Sequence, residues 1–397
     1  MALNNFVKSI RNIMRNDAGI NGDAQRIEQI AWMLFLKIYD EKENDWEFNE
    51  TDYKSFIPET CRWRSWAKDE GDGNALTADA LLDFVNNTLF PTLKSLEVTP
   101  DTPIRSAIVR TTFEDANQYM KDGVLLRQII NVIDALNLGN YNESHAFGEI
   151  YETILKEMQS AGSAGEFYTP HEVSLLMSEI VAEHLKEKTE IRIYDPTSGS
   201  GSLLINIGRS VSKRMESSRV EYYAQELKEN TYNLTRMNLV MRGIEPASLN
   251  VRNGDTLEED WPFFEDDDPA TYCLLHVSAV VSNPPYSQKW DNKNQKSNPR
   301  FSSYGVAPAG KADYAFLLHD LYHLEEDGIM AIVLPHGVLF RGNEEEEIRK
   351  NLIEKNNIDV IIGLPANIFF GTSIATCILV LKRSKAENAT LFIDASR

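Results

Sequence analysis

The sequence predicts an α/β fold: a mostly parallel, doubly wound sheet preceded by an all-α region. Two observations carry this. In the second part of the chain, short β-branched runs alternate with helical stretches, which implies βαβ units. In the first part, helical periodicity dominates. A break in texture at Ser160, Ala161, Gly162, Ser163, Ala164 and Gly165 marks a flexible linker, and the domains are expected at 1–155 and 156–397.

Taken in order, the segment RIEQIAWMLFLKIYDEKE places Ile27, Ile30, Ala31, Leu34, Phe35 and Ile38 on one helix face. Trp32, Met33 and Leu36 add apolar surface on its other sides, so this helix is expected to be central. Further helices are expected near 77–96, 122–137 and 147–159. The stretch holding Trp46, Trp63 and Trp66 has weaker periodicity. Strands are expected at 191–195, 220–226, 249–255, 277–283, 329–335, 358–365 and 375–383, with a last run, TLFIDAS, at the chain end. Helices are expected at 170–186, 202–216, 228–242, 312–325 and 343–356. The acidic stretch 258–268 carries seven carboxylates and reads as a solvated loop.

Composition narrows the function classes. With 42% hydrophobic and 25% charged residues over 397 positions, the chain reads as globular. No apolar run approaches the roughly 18 to 20 residues needed to span a bilayer, and the N-terminus is too polar for a secretory signal. Cys61, Cys273 and Cys377 are too widely spaced for a disulfide framework or a zinc site, so no metal is expected and a cytoplasmic setting follows. The net charge of −20 offers no general basic face to nucleic acid. A nucleic-acid substrate would need a local basic patch or a partner.

Several residue groups could carry chemistry. Asp195-Pro196-Thr197-Ser198-Gly199-Ser200-Gly201-Ser202 sits between a strand end and a helix, where glycines let the backbone approach a ligand. The third glycine of a dinucleotide fingerprint is replaced by Leu204, and Asp195 would repel a pyrophosphate. A zwitterionic or cationic ligand fits better. Glu226 and Asp255 end the next two strands, so three acids are expected in register. They suit ribose hydroxyls and an adenine amine, hence an adenosine with a positively charged tail. Upstream, GEFYTPHE reads as a helix start, with Thr169 as N-cap, Pro170 at the first helical position and Glu172 completing a capping box. Spacing favours that capping role. Phe167 and Tyr168 could also cover an adenine ring.

The fourth strand ends in Asn283-Pro284-Pro285-Tyr286. An exocyclic amine on a base has two N–H donors, which the Asn283 side-chain oxygen and the Pro284 carbonyl could accept. That steers the nitrogen lone pair toward an electrophile, Tyr286 could stack on the base, and the prolines preorganise the acceptors. No general base is required.

DPTSGSG, the two further strand-end acids and NPPY resemble the motifs of amino-group DNA methyltransferases that use S-adenosylmethionine, in the order of their gamma class. GEFYTP, the helical front, ADYAFLLH (312–319) and LPANIFFGTSIATCILVLKR (364–383) narrow the resemblance to the modification (M) subunit of type I restriction–modification systems. It covers nearly the whole chain. The resemblance implies a Rossmann-like S-adenosylmethionine-dependent methyltransferase sheet. Cofactor contacts would fall on Phe167, Thr169, Asp195, Gly199, Glu226 and Asp255, within a site that also includes Tyr168, Thr197, Ser198 and Gly201. The target adenine would fall on Asn283, Pro284, Pro285 and Tyr286, with methyl transfer to its N6 amine after base flipping.

It also implies assembly of two copies with one specificity subunit and with a restriction subunit, most affinity for double-stranded DNA coming from the specificity subunit. Family members continue into a C-terminal helical tail that helps dock that subunit, whereas this sequence stops at Arg397. The loop 287–311 holds Lys289, Lys293, Lys296, Arg300 and Lys311 against Asp291, a net +4 expected to face DNA. Protein-glutamine methyltransferases also use NPPY, but the helical front and the long loop after Tyr286 count against that reading. A non-catalytic scaffold of the same fold would not need Asp195, Gly199, Asn283 and Tyr286 intact. NPPY alone does not separate adenine from cytosine.

Overall fold

The computed structural model describes residues 3–69, 75–99, 102–114, 116–136, 169–215, 219–241, 244, 248–258, 262–263, 273–369 and 373–396. Contacts divide the chain into two units, Met1–Ser163 with Arg236–Ala247, and Ala164–Thr235 with Ser248–Arg397. The boundary expected at 155, the helix expected near 147–159 and the linker at 160–165 lie outside the described residues.

In the first unit the helices are α1 (Leu3–Met14), α2 (Asp23–Asn49), α3 (Trp63–Trp66), α4 (Ala78–Phe84), α5 (Phe90–Lys94), α6 (Ile104–Glu114) and α7 (Gly123–Asp134). Along α2, Ile30, Ala31, Leu34 and Phe35 are buried as the periodicity predicts, and so are Trp32, Met33 and Leu36. The helix is enclosed on several sides because aromatic rings close around it, Phe90 standing edge-on to Trp32 at 5.1 Å. The helix expected at 77–96 is α4 and α5 joined through a π turn at Val85–Leu89. Pro91 sits just beyond that turn, and without an N–H it cannot continue the regular ladder. Trp63, in the stretch of weak periodicity, is buried with its indole N–H on Asp134 at 2.8 Å. Asp122 caps α7 by accepting from the Val124 and Leu125 N–H groups.

The second unit carries β1 (Glu190–Asp195), β2 (Arg219–Glu226), β3 (Leu249–Asn253), β4 (Pro262–Phe263), β5 (Cys273–Leu274), β6 (Val277–Ser282), β7 (Leu324–Pro335), β8 (Ile358–Gly363), β9 (Thr376–Lys382) and β10 (Leu391–Asp394). Its helices are α8 (His171–Leu185), α9 (Ser202–Arg214), α10 (Glu229–Met241, which crosses from this unit into the first), α11 (Asp313–His323) and α12 (Glu344–Glu354). Eight strands form one sheet in the order β10-β8-β9-β7-β6-β1-β2-β3. All pairings are parallel except those of β9, which is antiparallel to β7 and β8. Every residue of β6 is buried, as a continuous apolar run in a central parallel strand should be. The helix expected at 312–325 ends at His323, and Leu324 opens β7 directly.

Two expectations need correction. The acidic stretch is not all loop, because β4 pairs antiparallel with β5 through Pro262–Leu274 and Phe263–Cys273. The apolar and aromatic residues set among the carboxylates supply that strand. Nor are the three acids in register. Asp195 lies opposite Ala224, and Glu226 lies opposite Asn253. Each acid therefore stands two residues farther out than the one before, because β2 and the turn after β3 extend past the tip of β1.

The strand order reverses between β1 and β6. From β1 the chain builds β2 and β3 on one side, then returns to place β6 on the other. The carboxyl ends of β1 and β6 thus flank a crevice that no crossover covers, which is where open α/β sheets bind ligands. Helix α9 packs closely on β2. A Cβ on Gly208 would come within 2.3 Å of the Tyr222 hydroxyl on β2. Gly208→Ala is therefore expected to lower stability by roughly 1–3 kcal/mol, although alanine is the better helix former. Tyr222→Phe should restore part of the loss. Urea midpoints of the two single variants and the pair measure this, and a stabilised Gly208→Ala would contradict it.

Candidate functional site

Asp195 ends β1 with only 1% of its surface exposed. Its Oδ1 accepts the Thr197 N–H at 3.0 Å, while its buried Oδ2 has no hydrogen-bond partner among the described residues. Burial pushes the carboxyl up to about 8; the Thr197 N–H pulls it back, and nearby Glu226 adds to the rise. The glycine turn follows. Gly199 and Gly201 have φ of +52° and +76°, a left-handed region that side chains disfavour, and Gly201 starts α9. A Cβ at Gly199 would meet almost nothing, so conformation rather than crowding calls for glycine there.

The turn is tied to the end of β2. Ser198 N–H donates to the Gln225 carbonyl at 3.0 Å and Gly199 N–H to Glu226 Oε2 at 3.1 Å. Glu226 Oε1 accepts the Lys228 N–H, so this acid holds the loop around itself. Leu227 beside it is 54% exposed, an apolar face left open at a strand tip. Asp255 Oδ1 accepts the Leu257 N–H at 2.9 Å and shapes the turn after β3. From that turn the Thr256 hydroxyl donates to the Pro196 carbonyl.

At the tip of β6, Asn283 Nδ2 donates to Thr169 Oγ1 at 3.0 Å, and its Oδ1 accepts the Tyr286 hydroxyl at 2.8 Å. This corrects the capping-box reading. The N-cap of α8 is Pro170, with no side-chain cap bond, and the first helical residue is His171. The Thr169 hydroxyl belongs to Asn283 instead. No sequence rule could pair residues 114 positions apart. The Pro284 carbonyl accepts no hydrogen bond among the described residues, and an amide oxygen has a second lone pair beyond the one facing Tyr286. The Tyr286 ring stands edge-on to Phe369 at 6.0 Å. Burial pushes its phenol far above the ordinary value, so it stays a donor. Phe167 and Tyr168 lie outside the described residues.

Some residues at this site went unmarked in the sequence. Phe369 belongs to the stretch 364–383, but no spacing there points to Tyr286. Asp320 of α11 is fully buried. The Ser282 hydroxyl donates to its Oδ2, and Oδ1 has no partner among the described residues. Burial pushes this carboxyl well above its usual range, with Asp195 adding to the rise.

Arg300, one of the five cations expected to face DNA, is 3% exposed. Its guanidinium donates to the Thr256 and Leu257 carbonyls and to His319 Nδ1 at 3.1 Å. Because arginine can only donate, a neutral His319 carries its proton on Nε2, which faces Tyr194 Oη at 3.1 Å; that hydroxyl in turn donates to Gln225 Oε1. Spent on these inner acceptors, Arg300 adds no charge to the surface. Lys289, Lys293 and Lys296 are exposed and Lys311 is half-buried.

Among the described residues, no group of His, Cys, Asp and Glu could hold a metal ion, and no helix is long and apolar enough to cross a membrane.

Comparison with known proteins gives one consistent family. The family described as N-6 DNA Methylase matches residues 142–397, and the HsdM N-terminal domain matches residues 3–133. The methylase subunit of type I restriction enzyme EcoEI from Escherichia coli is 36% identical over 99% of this chain and 78% of its own length. That of MpnII from Mycoplasma pneumoniae is 41% identical over 68% of this chain, which spans only 51% of that relative. A solved type I restriction–modification methyltransferase subunit from Streptococcus thermophilus is 30% identical. It has a TM-score of 0.77 and covers all of this chain and 87% of its own.

The buried Asp195 carboxyl predicts a pH dependence. An aspartate of the unfolded chain titrates near 3.8, and the folded one near 8. Between these values the folded chain holds a proton that the unfolded chain has lost, so this contribution to stability falls as pH rises through that window. Asp195→Asn should remove that decline. Its urea midpoint is expected to gain on the wild type between pH 5 and pH 8, and parallel pH profiles would contradict the assignment.

Proposed function

We propose how this chain, which belongs to the N-6 DNA methylase family and within it to the methylase subunits of type I restriction enzymes, methylates DNA adenine. The observation that carries the reading is a crevice flanked by a buried carboxyl, one oxygen of which has no partner among the described residues, and by an acceptor turn at the next strand end. S-adenosylmethionine is the cofactor the family implies, and when bound it supplies a methyl group on a positively charged sulfur.

The residues present fit it. Asp195 Oδ2 is a buried acceptor awaiting a donor, and a cationic or hydroxyl donor would draw Asp195 toward its charged form. Glu226 can accept ribose hydroxyls while it holds the Gly199 N–H, and Leu227 offers an apolar face to a flat ring. Thr169, Thr197, Ser198, Gly199 and Gly201 build the backbone cradle, with Asp255 at its outer edge and Phe167 and Tyr168 as its expected cover.

At the other strand end, Asn283 Oδ1 and the Pro284 carbonyl would accept the two N–H bonds of an adenine N6 amine. That orientation would point the nitrogen lone pair into the crevice, where the bound cofactor would supply a methyl group in exchange for one amine proton released to solvent. Pro285 stiffens the turn. Tyr286 holds Asn283 through its hydroxyl and offers its ring to a flipped base.

With a net charge of −20, the chain would take most of its DNA affinity from partners in the cytoplasm. These are a specificity subunit, a restriction subunit and a second copy of the chain. Its own contribution would come from Lys289, Lys293 and Lys296, with Lys311 behind them.

Radiolabelled methyl transfer to DNA by the assembled complex tests the acceptor turn. Asn283→Ala is expected to abolish transfer while S-adenosylmethionine titration still shows binding. Loss of both would make the Asn structural. Separately, changing Lys289, Lys293 and Lys296 to Glu should raise the DNA concentration needed for half-maximal methylation and flatten its salt dependence by up to about three ion-release units. Unchanged methylation would clear the loop from the DNA path.

A further inference from the structure

We propose that helix α11 is the mount of the acceptor turn, and that its Asp313 is a positioning residue that sets the backbone just after Tyr286. This rests on the DNA-methylase reading above and adds to it a role for the ADYAFLLH stretch.

Ser287, the residue after Tyr286, has φ of +53°, a left-handed conformation that a residue with a Cβ disfavours. Something must hold it there. Its N–H donates to Asp313 Oδ1 at 2.7 Å, and the next residue's carbonyl, Gln288 O, accepts the Ala312 N–H at 2.8 Å. Asp313 is fully buried and is itself held. Its Oδ2 accepts from Arg341 Nη1 at 2.7 Å, and Arg341 also bonds Glu345 at 3.2 Å. A buried carboxylate is costly unless it is paired and hydrogen-bonded, and here both of its oxygens are engaged.

The other end of the turn is held from the same helix. Ser282, just before Asn283, donates its hydroxyl to Asp320. Asp313 and Asp320 are seven residues apart, so they share one helix face about two turns, or roughly 10 Å, apart. Between them, His319 takes Arg300 from the loop that leaves the turn. Helix α11 lies against β6 and β7, the strands beside the crevice. One rigid element therefore grips the residues on both sides of Asn283-Pro284-Pro285-Tyr286, and Asn283 and the Pro284 carbonyl are placed through it.

Single-turnover methyl transfer by the assembled complex, with cofactor titration and thermal midpoints alongside, tests the role of Asp313. Asp313→Ala should slow transfer about a hundredfold, the scale of a misplacement of about 1 Å, with cofactor affinity little changed. Asp313→Asn, which keeps an acceptor for Ser287, should lose much less. Adding Ser287→Gly to Asp313→Ala should recover part of the rate, because glycine adopts the left-handed backbone unaided. A role confined to folding stability would lower midpoint, cofactor affinity and rate together and would gain nothing from the glycine; that result overturns the proposal. If Asp313→Ala does not fold, Asp313→Asn with and without Ser287→Gly decides. A modest slowing that glycine restores supports the proposal, and a slowing that glycine leaves unrestored, or no slowing at all, overturns it. A wild-type complex that puts no methyl on DNA overturns the functional reading itself. A working wild type with Asp313→Ala at full rate overturns only this inference.

Discussion

The architecture of this site depends on the pairing of β1 with β6 where the strand order reverses. Parallel strands end on the same edge of a sheet, so Asp195 and Asn283, remote in sequence, finish next to one another. Because the connections leave in opposite directions, no crossover among the described residues joins the two strand ends. Glycine turn, acidic tips and acceptor turn all border that one gap.

What borders the gap is costly to fold. Asp195 Oδ2 and Asp320 Oδ1 are buried without partners among the described residues, and each such atom costs on the order of 1–3 kcal/mol. Two of them near one crevice mark a place where stability is given up to keep acceptors ready. The surrounding structure offsets this with apolar burial. Trp290 and Phe301 of the loop after β6 pack on one another and into the core of the second unit, so the loop is anchored at its base and exposes lysines elsewhere.

The polar groups under the crevice form one connected set. Arg300 bonds the turn after β3 and reaches His319, His319 meets Tyr194 on β1, and Tyr194 reaches Gln225 on β2. The Gln225 carbonyl receives the glycine turn. With each donor matched to an acceptor, the set is satisfied and rigid, as preorganised acceptors require. The cofactor turn and the loop after Tyr286 are thereby referred to the same strands.

Local rules made much of this legible. Continuous apolar runs marked the central strands, the i, i+3, i+4 pattern marked α2, and the Gly-x-Gly turn and NPPY stood at strand ends where the structure has them. Local rules failed where a distant residue decides. Thr169 looked like a cap by spacing, yet its oxygen serves Asn283. Arg300 looked like a surface cation, yet three inner acceptors take it. The acids looked level because each follows a strand, but register is a property of paired strands and not of one. By itself, then, the sequence determined the alternation of elements, the family and the residue types at each strand tip, because periodicity and turn chemistry act over a few residues. Only the tertiary structure decided which donor meets which acceptor, how far each acid stands out and which charges reach water, because those depend on groups that folding alone brings together.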